Sequence, residues 1–181
     1  MQYATQKERE EWRGIGKYLG DIVYGANDGI ITTFAVVAGV AGASLAPGVV
    51  VILGVANLVA DGFSMATSNY LARKSEKEFK EKFEGGRGGS ELKHPVKNAT
   101  ATFISFVVAG AVPLIPYLVG VRGNVFGWAI FSTTLILFIV GSLRTFLTGT
   151  HWLRAGGEML LIGALAASVA YFIGDLLRNV V

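Results

Sequence analysis

Five runs of about 20 predominantly apolar residues recur along the chain, near 22–43, 49–72, 99–120, 125–147 and 158–178. About 20 such residues are what an α-helix needs to cross the hydrocarbon core of a bilayer. The expected fold is therefore all-α, an integral membrane protein with five transmembrane helices. Composition agrees, since 52% of the 181 residues are apolar and they come in blocks instead of an amphipathic scatter. The chain has no Cys, which excludes disulfides, thiolate metal sites and cysteine-based catalysis.

Charge sets the orientation. Lys and Arg concentrate on cytoplasmic loops, and the segments on alternate sides of the five spans hold fourteen basic residues against two, Arg122 and Arg178. This places the N-terminus in the cytoplasm and the C-terminus outside. Residues 1–20 carry charges where a secretion signal would be apolar, so no signal peptide is read there. They are expected to form a cytoplasmic or interfacial helix with Trp12 and Tyr18 at the headgroups, ahead of a five-span domain over 21–181. Between spans 1 and 2 lies only the uncharged turn "SLAPG". Residues 73–98 form a charged cytoplasmic loop that starts as a helix, because Glu76/Lys80, Glu78/Lys82, Lys77/Glu81 and Lys80/Glu84 are four apart, and breaks at "GGRGG".

All four Asp residues sit in or beside spans, whereas eight of the nine Glu lie in the tail or loop. Asp21 and Asp175 are near span ends, with water within reach. Asp28 and Asp61 are deeper, and an ionisable residue there is costly unless paired or functional. The short turn makes spans 1 and 2 an antiparallel hairpin. With its centre at Ala46-Pro47, residues whose numbers add to about 93 share a depth, which sets Asp28 opposite Met65 and Asp61 opposite Thr32. Asn57, Asp61 and Met65 recur every four residues beside Ser64 and Ser68, and Asp21, Tyr24, Asp28 and Thr32 share a face of span 1. Carboxylates, an amide and hydroxyls are hard oxygen donors, and a thioether adds a soft one, a mixture that leans toward Fe(II) or a neighbouring transition metal. Met65 as packing filler and Asn57 as interhelical glue are the plainer alternatives. Gly25, Gly29, Ala35, Gly39 and Ala43 form a small-residue stripe for close helix approach, within the monomer or across a twofold dimer. Pro113 and Pro116 are expected to interrupt span 3. Arg144 and Arg154 are expected at the headgroups, with Glu158 opening span 5.

The stretches "DIVYGANDGIITTFAVVAGVAGA", "GVANLVADGFSMATSNYLARKSE", "VPLIPYL" and "LTGTHWLRAGGEMLLIGALAASVAYFIGDLL" resemble the vacuolar iron transporter family in order and spacing, from about residue 19 to 178. The resemblance implies a homodimer with its translocation path at the interface, lined by spans 1 and 2. It also implies export of Fe(II), sometimes Mn(II), from the cytosol in exchange for protons. The family's two span-1 aspartates look like Asp21 and Asp28, and its span-2 methionine looks like Met65. Where the best-studied iron-storage members have a glutamate, this chain has Asn57, with Asp61 one turn later. Those members also insert a long glutamate-rich domain after span 2, which shorter members lack. Here about 26 residues stand in its place, with Glu76 and Glu78 as a reduced metal-capture pair.

The combined expectation is a homodimeric proton antiporter for divalent metal, Fe2+ first and Mn2+ second, and not an enzyme. Asp28, Asp61, Met65 and Asn57 would bind the ion, with Asp21, Thr32 and Ser64 secondary. Its partners would be the bilayer, a second copy, metal ions and protons, without a cofactor or nucleic acid. The alternative is a membrane scaffold that keeps the fold and docks a cytosolic partner. With no sorting signal, a prokaryotic cell membrane is expected ahead of a vacuolar one.

Overall fold

In the computed structural model, the described residues are 6–83, 94–145 and 149–180, with side chains from residue 18 onward. Six α-helices order the described residues. They are α1 (Gln6–Gly42), α2 (Pro47–Phe83), α3 (Pro95–Gly110), a short α4 (Ile115–Leu118), α5 (Val125–Leu143) and α6 (Trp152–Leu177). Five stretches are long and apolar enough to cross a membrane: Tyr18–Gly42, Pro47–Phe83, Pro95–Leu118, Val125–Leu143 and Trp152–Leu177.

One boundary differs from expectation. Residues 6–42 are one helix, so the N-terminal segment is continuous with span 1 instead of being a separate surface helix. The side chain of Trp12 lies outside the described residues. The charged segment after span 2 starts as a helix, as expected, and is continuous with the span, because α2 runs unbroken for 37 residues to Phe83. Its charged end is held by i,i+4 pairs, Lys80 to Glu76 at 2.9 Å and Lys77 to Glu81 at 3.7 Å. Glu78 pairs with Lys74 at 3.9 Å in place of Lys82, which lies over the Phe83 ring. Glu84 and "GGRGG" lie outside the described residues.

α1 ends in a Schellman-type cap, with Leu45 N–H on the Val40 carbonyl at 3.1 Å and Ser44 left-handed at φ 54°. Pro47 then starts α2 at its first turn, where a missing N–H costs nothing. In the third span Pro113 and Pro116 interrupt the helix as expected, leaving a 3₁₀ turn over Val112–Leu114. That turn drives Leu114, fully buried, onto Gly54 of α2.

α1 is the centre of the bundle. A Cβ at Gly25 would meet the Thr102 carbonyl, and one at Gly29 would meet the Phe106 backbone, so α1 and α3 touch backbone to backbone. Gly42 lies in the same way on Tyr171, and Gly174 on Gly39, joining α1 to α6. The small-residue stripe thus packs the monomer. One core cluster gathers Phe34, Val37, Val50, Leu58, Phe106 and Leu114, and a second gathers Ala26, Ile30, Ala109, Leu137, Val140 and Met159. At the far side Glu158 pairs with Arg144 at 3.1 Å and with Arg154 at 3.6 Å. The Arg144 pair ties the end of α5 to α6, whereas the Arg154 pair lies within α6 and leaves that side chain 81% exposed.

Candidate functional site

The turn sets the register of the site. α1 stops at Gly42 and α2 starts at Pro47, so residues whose numbers add to about 89 share a depth. The hydrogen bond from Asn69 Nδ2 to Asp21 Oδ1, at 2.9 Å, fits that register. Asp28 is therefore level with Asp61, Thr32 with Asn57, and Tyr24 with Met65. This corrects the pairing expected from a turn centred on Ala46-Pro47. The helices flank residues 43–46 instead, which aligns the two carboxylates and moves Met65 about one turn toward the charged end of α2.

Asp28 and Asp61 are both half-buried, and neither makes an ion pair among the described residues. Around them the polar groups are incompletely satisfied. Asn57 Nδ2 and Asn27 Oδ1 are buried without a hydrogen-bond partner. Buried amides normally find one, so both keep hydrogen-bonding capacity that the described residues do not use. Thr32 donates its hydroxyl to the Asp28 carbonyl at 2.9 Å and keeps its lone pairs available. Ser64 is exposed on the same side of α2. Met65 is half-buried and packs on the core cluster of Leu58 and Phe106, so it fills space whatever else it does.

The secondary candidates separate. Asp21 is 5% exposed, against the expectation of water within reach at a span end. Its Oδ1 accepts from Asn69 and from Arg73, at 3.2 Å, and its Oδ2 accepts from Asn98. Glu76 is held by Lys80 and Glu78 by Lys74, and the two face no third ligand. Among the described residues no three of His, Cys, Asp and Glu gather as a metal cluster. An ion at Asp28 and Asp61 would therefore need amide, hydroxyl, thioether, water or second-chain donors. Sequence reasoning missed Asn27, whose only signal was an amide beside Asp28, and the Asp21 partners Asn69, Arg73 and Asn98.

Comparison with known proteins supplies an independent finding. A model described as the VIT family matches residues 19–87 and 80–175. The chain is 24% identical over 219 aligned positions to vacuolar iron transporter 1 of Arabidopsis thaliana, covering 91% of this chain and 88% of the relative. It is 25% identical over 226 positions to vacuolar iron transporter 1 of Eucalyptus grandis, covering 94% and 91%. With the vacuolar iron transporter of Plasmodium falciparum it shares 25% over 227 positions, covering 89% and 82%. Each alignment is longer than the 181-residue chain, so the relatives hold segments this chain lacks. The two family blocks overlap at 80–87, just where α2 reaches its last described residue, Phe83, which fits a shortened segment there. These relatives are eukaryotic and named vacuolar, so they lend nothing to the expected prokaryotic membrane.

Proposed function

The chain belongs to the VIT family, and on that premise we propose that it is a homodimeric carrier that exports Fe(II), and secondarily Mn(II), from the cytosol in exchange for protons. The observation that carries this reading is the pair Asp28 and Asp61 at one depth within the spans, with no basic partner. A lone carboxylate in a membrane is costly, and two that repel are costlier, unless a cation or a proton sits between them. Cation and proton compete for the same oxygens, so metal entry releases protons and proton entry releases metal. The names of the relatives, iron transporters, support metal as cargo.

A second chain supports the same chemistry. Asp28 and Asp61 on the α1–α2 hairpin are only half-buried and Ser64 is exposed, and lipid satisfies no polar groups. A twofold partner would cover them and double the donors. The basic bias of the N-terminal segment and the α2 end supports a cytosolic location for both.

The test is uptake into proteoliposomes that hold a metal-sensitive dye or a pH dye, comparing wild type with Asp28→Asn. Inward Fe(II) or Mn(II) movement with opposite proton flow, lost in the variant, is the expected result. Metal movement without a pH change removes the antiport. No movement of either metal by folded protein makes the scaffold reading the better one.

A further inference from the structure

We propose that Asp21 is a positioning residue and not a ligand on the ion path. With Arg73, Asn69 and Asn98 it forms a clasp that fixes α2, and hence Asp61 and Met65, against the α1–α3 pair that carries Asp28. The role rests on the carrier reading for the site it positions.

The carboxylate is saturated. Asp21 Oδ1 takes Asn69 Nδ2 at 2.9 Å and an Arg73 guanidinium N–H at 3.2 Å, and Oδ2 takes Asn98 Nδ2. The second N–H of Asn69 donates to Thr102 Oγ1 at 2.7 Å, and that hydroxyl donates to the Asn98 carbonyl at 3.1 Å. A buried carboxylate holding a guanidinium and two carboxamides is stable where it is, and removing any one partner leaves an uncompensated group. A metal ion arriving there would meet the positive Arg73 first. Asp28, seven residues along α1, has no such cation.

The clasp lies where it can set the site. α1 and α3 are locked by Gly25 on Thr102 and Gly29 on Phe106, which leaves no room for either helix to slide. α2 buries only Val50, Gly54, Leu58 and Gly62 fully. Beyond Gly62, its polar attachment to that locked pair is Asn69 and Arg73. Asn69 is eight residues, about 12 Å, from Asp61 on one continuous helix, so the clasp fixes the height and rotation of the carboxylate.

The experiment titrates Mn(II) alone into the detergent-solubilised full chain, reading free ion by electron paramagnetic resonance for number bound and Kd, with a melting curve beside each titration. Wild type, Asp21→Asn, Arg73→Gln, the exchange Asp21→Arg with Arg73→Asp, and Asp28→Asn are compared. Both single clasp variants are expected to weaken binding about tenfold, as loss of a supporting partner behind a metal site does, with the number bound unchanged. The exchanged pair is expected to recover most of that loss. The sign for Arg73→Gln decides between roles. Were Asp21 a ligand, removing the nearby positive charge would tighten binding, and Asp21→Asn would lose the ions that Asp28→Asn loses; either result overturns the proposal. Clasp variants that melt earlier yet bind Mn(II) as wild type does overturn it too. If Asp21→Asn does not fold, Arg73→Gln still gives the sign. A wild-type chain that binds no Mn(II) removes the carrier reading and the positioning role together, and is distinguished by the failure of wild type itself.

Discussion

Asp28 and Asp61 share a level because the chain turns in four residues, and their chemistry follows from what they lack, a cation. Their four-residue stripes could be read from the sequence, but the pairing between the stripes could not, because two residues of error in the turn shift one helix by most of a turn. The clasp was hidden for another reason: Asn69, Arg73 and Asn98 lie 48, 52 and 77 residues from Asp21, beyond any local pattern. Two predictions belong here. On the proposed carrier reading, in which protons and metal compete for Asp28 and Asp61, Mn(II) affinity falls as pH is lowered, and Asp61→Asn flattens that dependence; titrations across a pH series check it. Ser44 sits at φ 54°, a left-handed conformation that costs an L side chain about 1 kcal/mol and glycine little. Ser44→Gly is expected to raise the melting temperature of the solubilised chain by a corresponding small amount.

At the level of helices, apolar run length was enough for their number and type, since a bilayer leaves few alternatives. It was not enough for their ends. Hydropathy stops at the last apolar residue, while α2 continues to Phe83 on Glu–Lys pairs that no membrane requires. The glycine stripe was visible too, but spacing alone did not say which neighbour it served. Coordinates assign Gly25 and Gly29 to α3, and Gly39 and Gly42 to α6. Gly29→Ala would place a methyl against the Phe106 backbone, which cannot rotate away. It is expected to destabilise by the upper part of the about 1–3 kcal/mol that overpacking costs. Gly157→Ala, with open space at its Cβ, is the control and should cost nothing, apart from a small gain in helix propensity. Melting curves of the two variants side by side measure the difference.

For the whole molecule, the absence of Cys makes topology directly measurable, because a single introduced thiol is the only one present. Glu78→Cys is expected to react with an impermeant maleimide only from the cytosolic side, and Asn124→Cys only from the opposite side; the reverse pattern would invert the orientation. The proposed twofold assembly predicts that Ser68→Trp, at an exposed position of α2, yields monomers of unchanged melting temperature, read by light scattering after size exclusion. α2 has a mechanical consequence as well. Its 37 residues make a rod of about 55 Å, against a hydrocarbon core of about 30 Å. Phe79 and Phe83 are 58% and 65% exposed at its far end, with no loop between them and Asp61. Asn69 lies eight residues from Asp61 and ten to fourteen from Phe79 and Phe83, so the Asp21 clasp grips the rod between the rings and the carboxylate. A sideways load on the exposed rings is then borne at the clasp before it reaches Asp61.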